Sequence, residues 1–248
     1  MVETTERAKI RGSYNHHICQ FPEEINEINF FRFDKQLIRE KQWAELPLAS
    51  KSIFPAICSH CNSQGHCHPG QQRIAILSGC TEKTVRKGLK GLRSLEGFHM
   101  TPRVSARGHN NYSYVIDFPK QEKGKMFPFY KSIIEAGNWS LLTPSAQALY
   151  PVMRQFGFWE NELNDKFNIH EYIERGYDYV DADIDILSDY AGIHESTLYK
   201  ALHLLDDNNF IEDIGIIEGR KTWKVFLKPD RRYEADYLNN EVSKKYNH

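Results

Sequence analysis

The stretch CSHCNSQGHCHPG, Cys58 to Gly70, packs three cysteines and three histidines into thirteen residues. Zinc takes four nitrogen or sulfur ligands in a tetrahedron, commonly from a Cys-x2-Cys pair and a second close pair. Cys58 and Cys61 have the first spacing and would share a helix face. Cys67 with His68, or His66, would have to supply the second pair, and such closely spaced ligands are less usual. A different chemistry lies just downstream. From Gln71 to Lys125 eleven basic residues stand against four acidic ones, a surplus of seven positive charges. From Glu160 to Asp213 fifteen acids stand against Lys166, Arg175 and Lys200, a surplus of twelve negative charges. The formal net charge of the chain is only -1, so the asymmetry points to two regions with two jobs.

Enzymatic patterns are not found. His16 and His17 are adjacent, whereas the His-hydrophobic-His pattern of nicking relaxases separates them by one residue. No Gly-Lys-Ser/Thr phosphate loop occurs. Asp181, Asp183 and Asp185 alternate, but no Gly and closing Glu follow at the spacing of a calcium loop. They read as acids that cap or precede a helix. The expectation is a non-enzyme without a cofactor. The chain has 248 residues, 40% hydrophobic and 12% aromatic, which suits one large or two ordinary globular domains. It has no run of eighteen apolar residues and no apolar signal region at its start, so no membrane partner is expected. Five cysteines, an odd count without secretory context, read as a cytoplasmic protein with reduced thiols.

An internal repeat positions these residues. GCTEKTVRKGLKGL, Gly79 to Leu92, aligns without a gap on GIHESTLYKALHLL, Gly192 to Leu205, at an offset of 113. Upstream, LPLASKSIFPAI aligns on LTPSAQALYPVM at an offset of 96, pairing Pro55 with Pro151. The 17-residue difference is an insertion in the second copy, within FWENELNDKFNIHEYIERGYDYVDAD. Two copies of one domain have this form. Each copy predicts a helix near Ser50–Cys61 or Ser145–Phe156, kinked at or beginning close to Pro55 or Pro151. A short helix follows at Gln71–Ser78 or Ile184–Ala191, then a turn at Gly79 or Gly192, where glycine accepts positive φ. The third helix has Thr81 as N-cap in the first copy, with Val85, Leu89 and Leu92 on one stripe. Leu198, Leu202 and Leu205 repeat that stripe. Gly88 and Gly91 each cost roughly 1 kcal/mol relative to Ala there; close approach of another backbone and simple tolerance are the two explanations for their presence. A strand–turn–strand closes each copy, with tips SARGHNN and EGRK.

Helix, short helix, glycine turn, helix and β-hairpin is the order of a winged helix-turn-helix. The fold class expected is α+β, mainly helical, with two winged helix-turn-helix domains in tandem. Their bounds are an N-terminal arm 1–28, a first domain 29–118, a linker 119–125, a second domain 126–230 and a tail 231–248. The run IFPAICSHCNSQGHCHPGQQRIAILSGCTEKTVRKGLKGLRSLEGF resembles the helix-turn-helix modules of plasmid and phage replication proteins and related regulators. The resemblance covers residues 30 to 118 well and 130 to 229 more loosely. It implies sequence-specific binding of double-stranded DNA, with replication initiation of a plasmid or mobile element as the setting and transcription regulation as the alternative. A protein-interaction adaptor without DNA is a third reading, supported by the acidic second half.

With Val85, Leu89 and Leu92 inward, Thr81, Lys83, Thr84, Arg86, Lys87 and Lys90 fall on or near the outer face of the third helix. Lys83 and Arg86, near its start, are the base-reading candidates. Thr81, Thr84, Lys87, Lys90 and Arg73 are phosphate candidates. Arg103, Arg107 and His109 ride the wing. In the second copy Ser196, Thr197, Tyr199 and Lys200 are candidates for neutral or weak DNA contacts, and Arg220, Lys221 and Lys224 are the DNA-binding candidates of its basic wing. Asp183, Asp185 and Asp189 oppose phosphate there, so a homodimer or a replication or transcription partner held through this domain stays open. The repeat also places Cys58 and Cys61 opposite Arg154 and Gly157, at the end of a core helix. The metal expectation is therefore none, with Cys58, Cys61, Cys67 and His68 the residual zinc candidates and Cys80 a core residue.

Overall fold

A computed structural model of the chain describes residues 30–104, 110–118, 126–157, 176–217 and 219–229. The first half runs β1 (Phe30–Asp34), α1 (Gln36–Arg39), α2 (Gln42–Glu45), α3 (Leu48–Cys58), β2 (His66–Cys67), α4 (Gln71–Ser78), α5 (Glu82–Leu92), β3 (Phe98–Val104) and β4 (Asn110–Ile116). The second runs β5 (Met126–Tyr130), α6 (Lys131–Glu135), a 3-10 turn at Trp139–Leu141, α7 (Pro144–Phe156), β6 (Tyr177–Val180), α8 (Ile184–Ala191), α9 (Glu195–Asp207), β7 (Ile211–Ile217) and β8 (Arg220–Phe226). Helices and small antiparallel sheets are mixed: β2-β4-β3, β6-β8-β7 and the two-stranded ribbon β1-β5. The arm, linker, wing tip 105–109, most of the insertion and the tail lie outside the described residues.

Local chemistry accounts for the helix ends. The Thr81 hydroxyl accepts from the Thr84 amide at 3.2 Å and caps α5. Thr143 accepts from the Ala146 amide, and Pro144 occupies the first turn of α7, where its missing N–H costs nothing. In α9 the cap is His194, whose Nδ1 accepts from the Ser196 amide at 3.2 Å. Two expectations shift. α3 starts at Leu48 and stops at Cys58, two residues before Ser50 and three before Cys61. Pro55 and Pro151 lie well inside α3 and α7, so neither helix begins at its proline.

Several contacts between the halves fall in symmetric pairs, each recurring at an offset of 96 residues. The ribbon pairs Phe30 with Tyr130 and Asp34 with Met126, so that Arg32 faces Pro128, its own counterpart 96 residues on. Aromatic side chains follow the same rule. Phe31 stacks on Phe129 and Phe33 on Phe127, each at 4.9 Å between centroids. The Trp43 indole donates across the interface to the Ala148 carbonyl at 2.9 Å, and Trp139 donates back to the Ser52 carbonyl at 2.9 Å. Trp43 and Trp139, like Ser52 and Ala148, are separated by 96 residues. Both indoles are fully buried, and burial of a large side chain contributes roughly 1.5–3 kcal/mol. The core is thus continuous across both halves.

The turn glycines obey the symmetry too. Gly79 and Gly192 end α4 and α8 with φ of 68° and 61°. A Cβ on Gly79 would collide with the Ser140 carbonyl, and one on Gly192 with the Ala44 carbonyl. Ala44 and Ser140 are again 96 apart. Each turn therefore needs glycine twice over, for its left-handed backbone and for the other half's approach.

Candidate nucleic-acid interface

α5 is held by one face and offers the other. Val85, Leu89 and Leu92 are buried with Gly88. A Cβ on Gly88 would lie 2.6 Å from the Ala49 carbonyl oxygen of α3, and Ser50 Oγ donates to the Gly88 carbonyl at 2.9 Å. At Gly91 a Cβ would strike Ser50 Oγ and approach Pro47. Close approach of the α3 backbone explains Gly88, whereas Gly91 makes room for the Ser50 and Pro47 side chains. The opposite face carries Lys83, Arg86, Lys87 and Lys90, all exposed. Arg86 has a loose i,i+4 contact with Glu82 at 3.8 Å. Lys83, Lys87 and Lys90 make no ion pair among the described residues. Thr81 is exposed, and half-buried Thr84 shares a hydrogen bond with it at 3.0 Å. Arg73 on α4 and Arg103 on β3 are exposed. Arg107 and His109 lie outside the described residues.

The second half has a similar order of elements with different electrostatics. Ser196 is exposed and bonded to the His194 ring at 2.9 Å, Thr197 is half-buried, and Lys200 is exposed. Tyr199 is 53% exposed. Asp183 and Asp185 are exposed and Asp189 is exposed on α8. The cations of β8 are all engaged. Arg220 pairs with Asp181 at 3.4 Å, Lys221 with Asp213, and Lys224 with Glu212 at 3.0 Å. The Lys221 bond holds the Asp213 carboxyl below its usual range, and the Glu212 bond raises the Lys224 ammonium. These cations are drawn from the sequence as a free basic wing. In the fold each has a carboxylate beside it, and for Lys224 antiparallel pairing sets Glu212 directly opposite.

The cysteine stretch builds the joint between helix and wing. The Asn62 side chain accepts from the Gln64 and His66 amides at 3.0 Å each, shaping the turn into β2. β2 then pairs His66 with Val115 and Cys67 with Tyr114. Cys58, Cys61 and Cys67 are buried, with the last two sulfurs 3.0 Å apart. Burial raises the Cys58 thiol, and the Cys61 contact with burial raises Cys67, which opposes thiolate ligation. His68 is exposed, and the His60 ring bonds the Ala56 carbonyl at 3.1 Å. Among the described residues no three or more His, Cys, Asp or Glu side chains are placed to hold a metal. Cys80 is half-buried against the core. At the matching joint of the second half, buried Arg154 lies 3.4 Å from buried Asp178 and over the Phe127 ring.

Residues 44–96 match the family model of a helix-turn-helix domain, which spans α3, α4 and α5. No curated protein and no solved structure matches the chain. No helix among the described residues is long and apolar enough to cross a membrane. The sequence did not single out Lys51, Gln147, Trp43 or Trp139, although the 96-residue offset relates them in pairs.

Proposed function

We propose that the chain is a sequence-specific double-stranded DNA-binding protein of two winged helix-turn-helix domains, 29–118 and 126–230, and not an enzyme. The observation that carries this reading is the outer face of α5, where three lysines stand without a carboxylate among the described residues. Lys83 and Arg86, in the first turns, are assigned to base edges; Arg86 has the fork geometry for guanine O6 and N7. Thr81, Thr84, Lys87, Lys90, Arg73 and Arg103 are assigned to phosphates. Replication initiation of a plasmid or similar element in the cytoplasm is the setting we favour, resting on the resemblance of the Ile53–Phe98 run to replication proteins; transcription regulation is the alternative.

The second domain plays a mixed part. Its paired wing cations and the acids of α8 favour a partner protein as its main contact, with Ser196, Thr197, Tyr199 and Lys200 near DNA at most as neutral or weak contacts. A salt titration of binding to a selected duplex tests the whole reading. The log–log slope should be steep, near about -0.9 per phosphate neutralised. Absent binding, or binding indifferent to salt, overturns it. Mapping of genomic sites separates the settings: clustered direct repeats at one origin mark an initiator, and scattered promoter sites mark a regulator.

A further inference from the structure

Two side chains at equivalent places cross the interface between the halves. Lys51, on α3, is 1% exposed, and its ammonium donates to the Ala191 carbonyl at 2.8 Å and the Ala44 carbonyl at 3.0 Å. Gln147, on α7 and 96 residues on, is fully buried, and its amide nitrogen donates to the Ser78 carbonyl at 3.0 Å and the Trp139 carbonyl at 2.8 Å. Ala191 and Ser78 are the last residues of α8 and α4, separated by 113. Each half thus reaches into the other and holds the carbonyl end of the helix that precedes the turn glycine. Those carbonyls lack intrahelical donors and carry the negative end of the helix dipole, so N–H donors are favoured there. The Gln147 orientation is fixed, because its nitrogen faces two carbonyl oxygens while its own oxygen has no partner among the described residues.

We propose that Lys51 and Gln147 are positioning residues for DNA reading: each aims the opposite half's recognition helix, α9 or α5, by anchoring the end of the helix before it. The inference rests on the DNA-binding reading for its consequence, but the clamp itself is testable without DNA. The α5 reading face is then set by Gln147 of the second half, and a ligand that moves α8 pulls on Lys51 in the first.

The test uses the full chain with spin labels on genetically encoded residues at Arg93 and His203, near the ends of α5 and α9. The wild-type protein gives one narrow distance distribution between the labels. Lys51→Met and Gln147→Leu each widen or shift it. Lys51→Gln preserves it, since Gln147 does the same work in the other half. In duplex binding, Gln147→Leu weakens affinity roughly tenfold with the salt slope unchanged, because no phosphate contact is lost. A residue acting only through general stability would not keep the slope while widening the distances. Should Lys51→Met fail to fold, Gln147→Leu and Lys51→Gln carry the test. The proposal is overturned if folded Gln147→Leu keeps the wild-type distances, or if Lys51→Gln spreads them. If the wild type binds no duplex, the DNA reading fails while the distances still judge the clamp.

Discussion

The two halves share a backbone and part company in charge. α5 and α9 follow the same kind of glycine turn, bury an apolar stripe of the same spacing and begin with a side-chain cap. Yet α5 shows lysines without carboxylate partners among the described residues, while the second half commits Arg220, Lys221 and Lys224 to its own acids. Even the joint to the sheet differs: a cluster of buried thiols in one half, the Arg154–Asp178 ion pair in the other. A fold of this kind is specified by its glycines, caps and apolar stripe, which leaves the outward faces free to take opposite signs.

The largest effect should come from what the halves share. Trp43→Ala and Trp139→Ala each remove a buried indole and its cross-interface hydrogen bond, and each should lower the unfolding free energy by ~3–5 kcal/mol in urea titration. Equal losses sharpen the equivalence; a gap above ~2 kcal/mol breaks it. Next comes the charge that distinguishes Lys51 from Gln147. Burial pulls the Lys51 ammonium down to about 8. The folded chain then releases that proton near pH 8, while the unfolded chain keeps it to about pH 10. With fewer protons bound by the folded state, stability must rise with pH across this window. The wild type should become more stable by up to about 3 kcal/mol relative to Lys51→Gln between about pH 8 and pH 10. A pH-independent difference between the two proteins would refute it.

Smaller effects probe the outward faces. Arg86→Ala should relax specificity at one base pair by ~1–3 kcal/mol, whereas Lys90→Ala should weaken all sequences alike and reduce the salt slope by ~1. If both leave binding untouched, α5 does not face DNA. Smallest is Asp213→Asn, which frees Lys221 from its partner. Exposed pairs are worth ~0–1 kcal/mol, so duplex affinity should rise by less than that, with a slightly steeper salt slope. An unchanged slope would mean that this wing holds no phosphate.

Much of the local structure was legible because short-range rules decide it. The bounds Gln71–Ser78 and Ile184–Ala191, the two glycine turns and the Thr81 cap follow from apolar spacing and turn chemistry alone. The start of α3 was misplaced because no side chain caps it; Pro47 stands at that position. The outward face of α5 was readable for the same reason as its buried stripe. The wing ion pairs were not, since strand register sets Glu212 beside Lys224 and register is a long-range property. Lys51 was invisible as a contact between the halves because a lone lysine reads as solvated until its burial against Ala191 is seen.

The β1-β5 ribbon has a consequence for how such a molecule can change. In a symmetric dimer of separate chains every substitution occurs twice, and whatever it does to one side it does to the other. Here the ribbon joins counterparts of one continuous polypeptide, Phe30 beside Tyr130. A change at Lys87 leaves Lys200 as it was, although the two are matching positions. One side can keep its ligand while the other is free to acquire a new one, and the shared tryptophan seam keeps the pair together meanwhile.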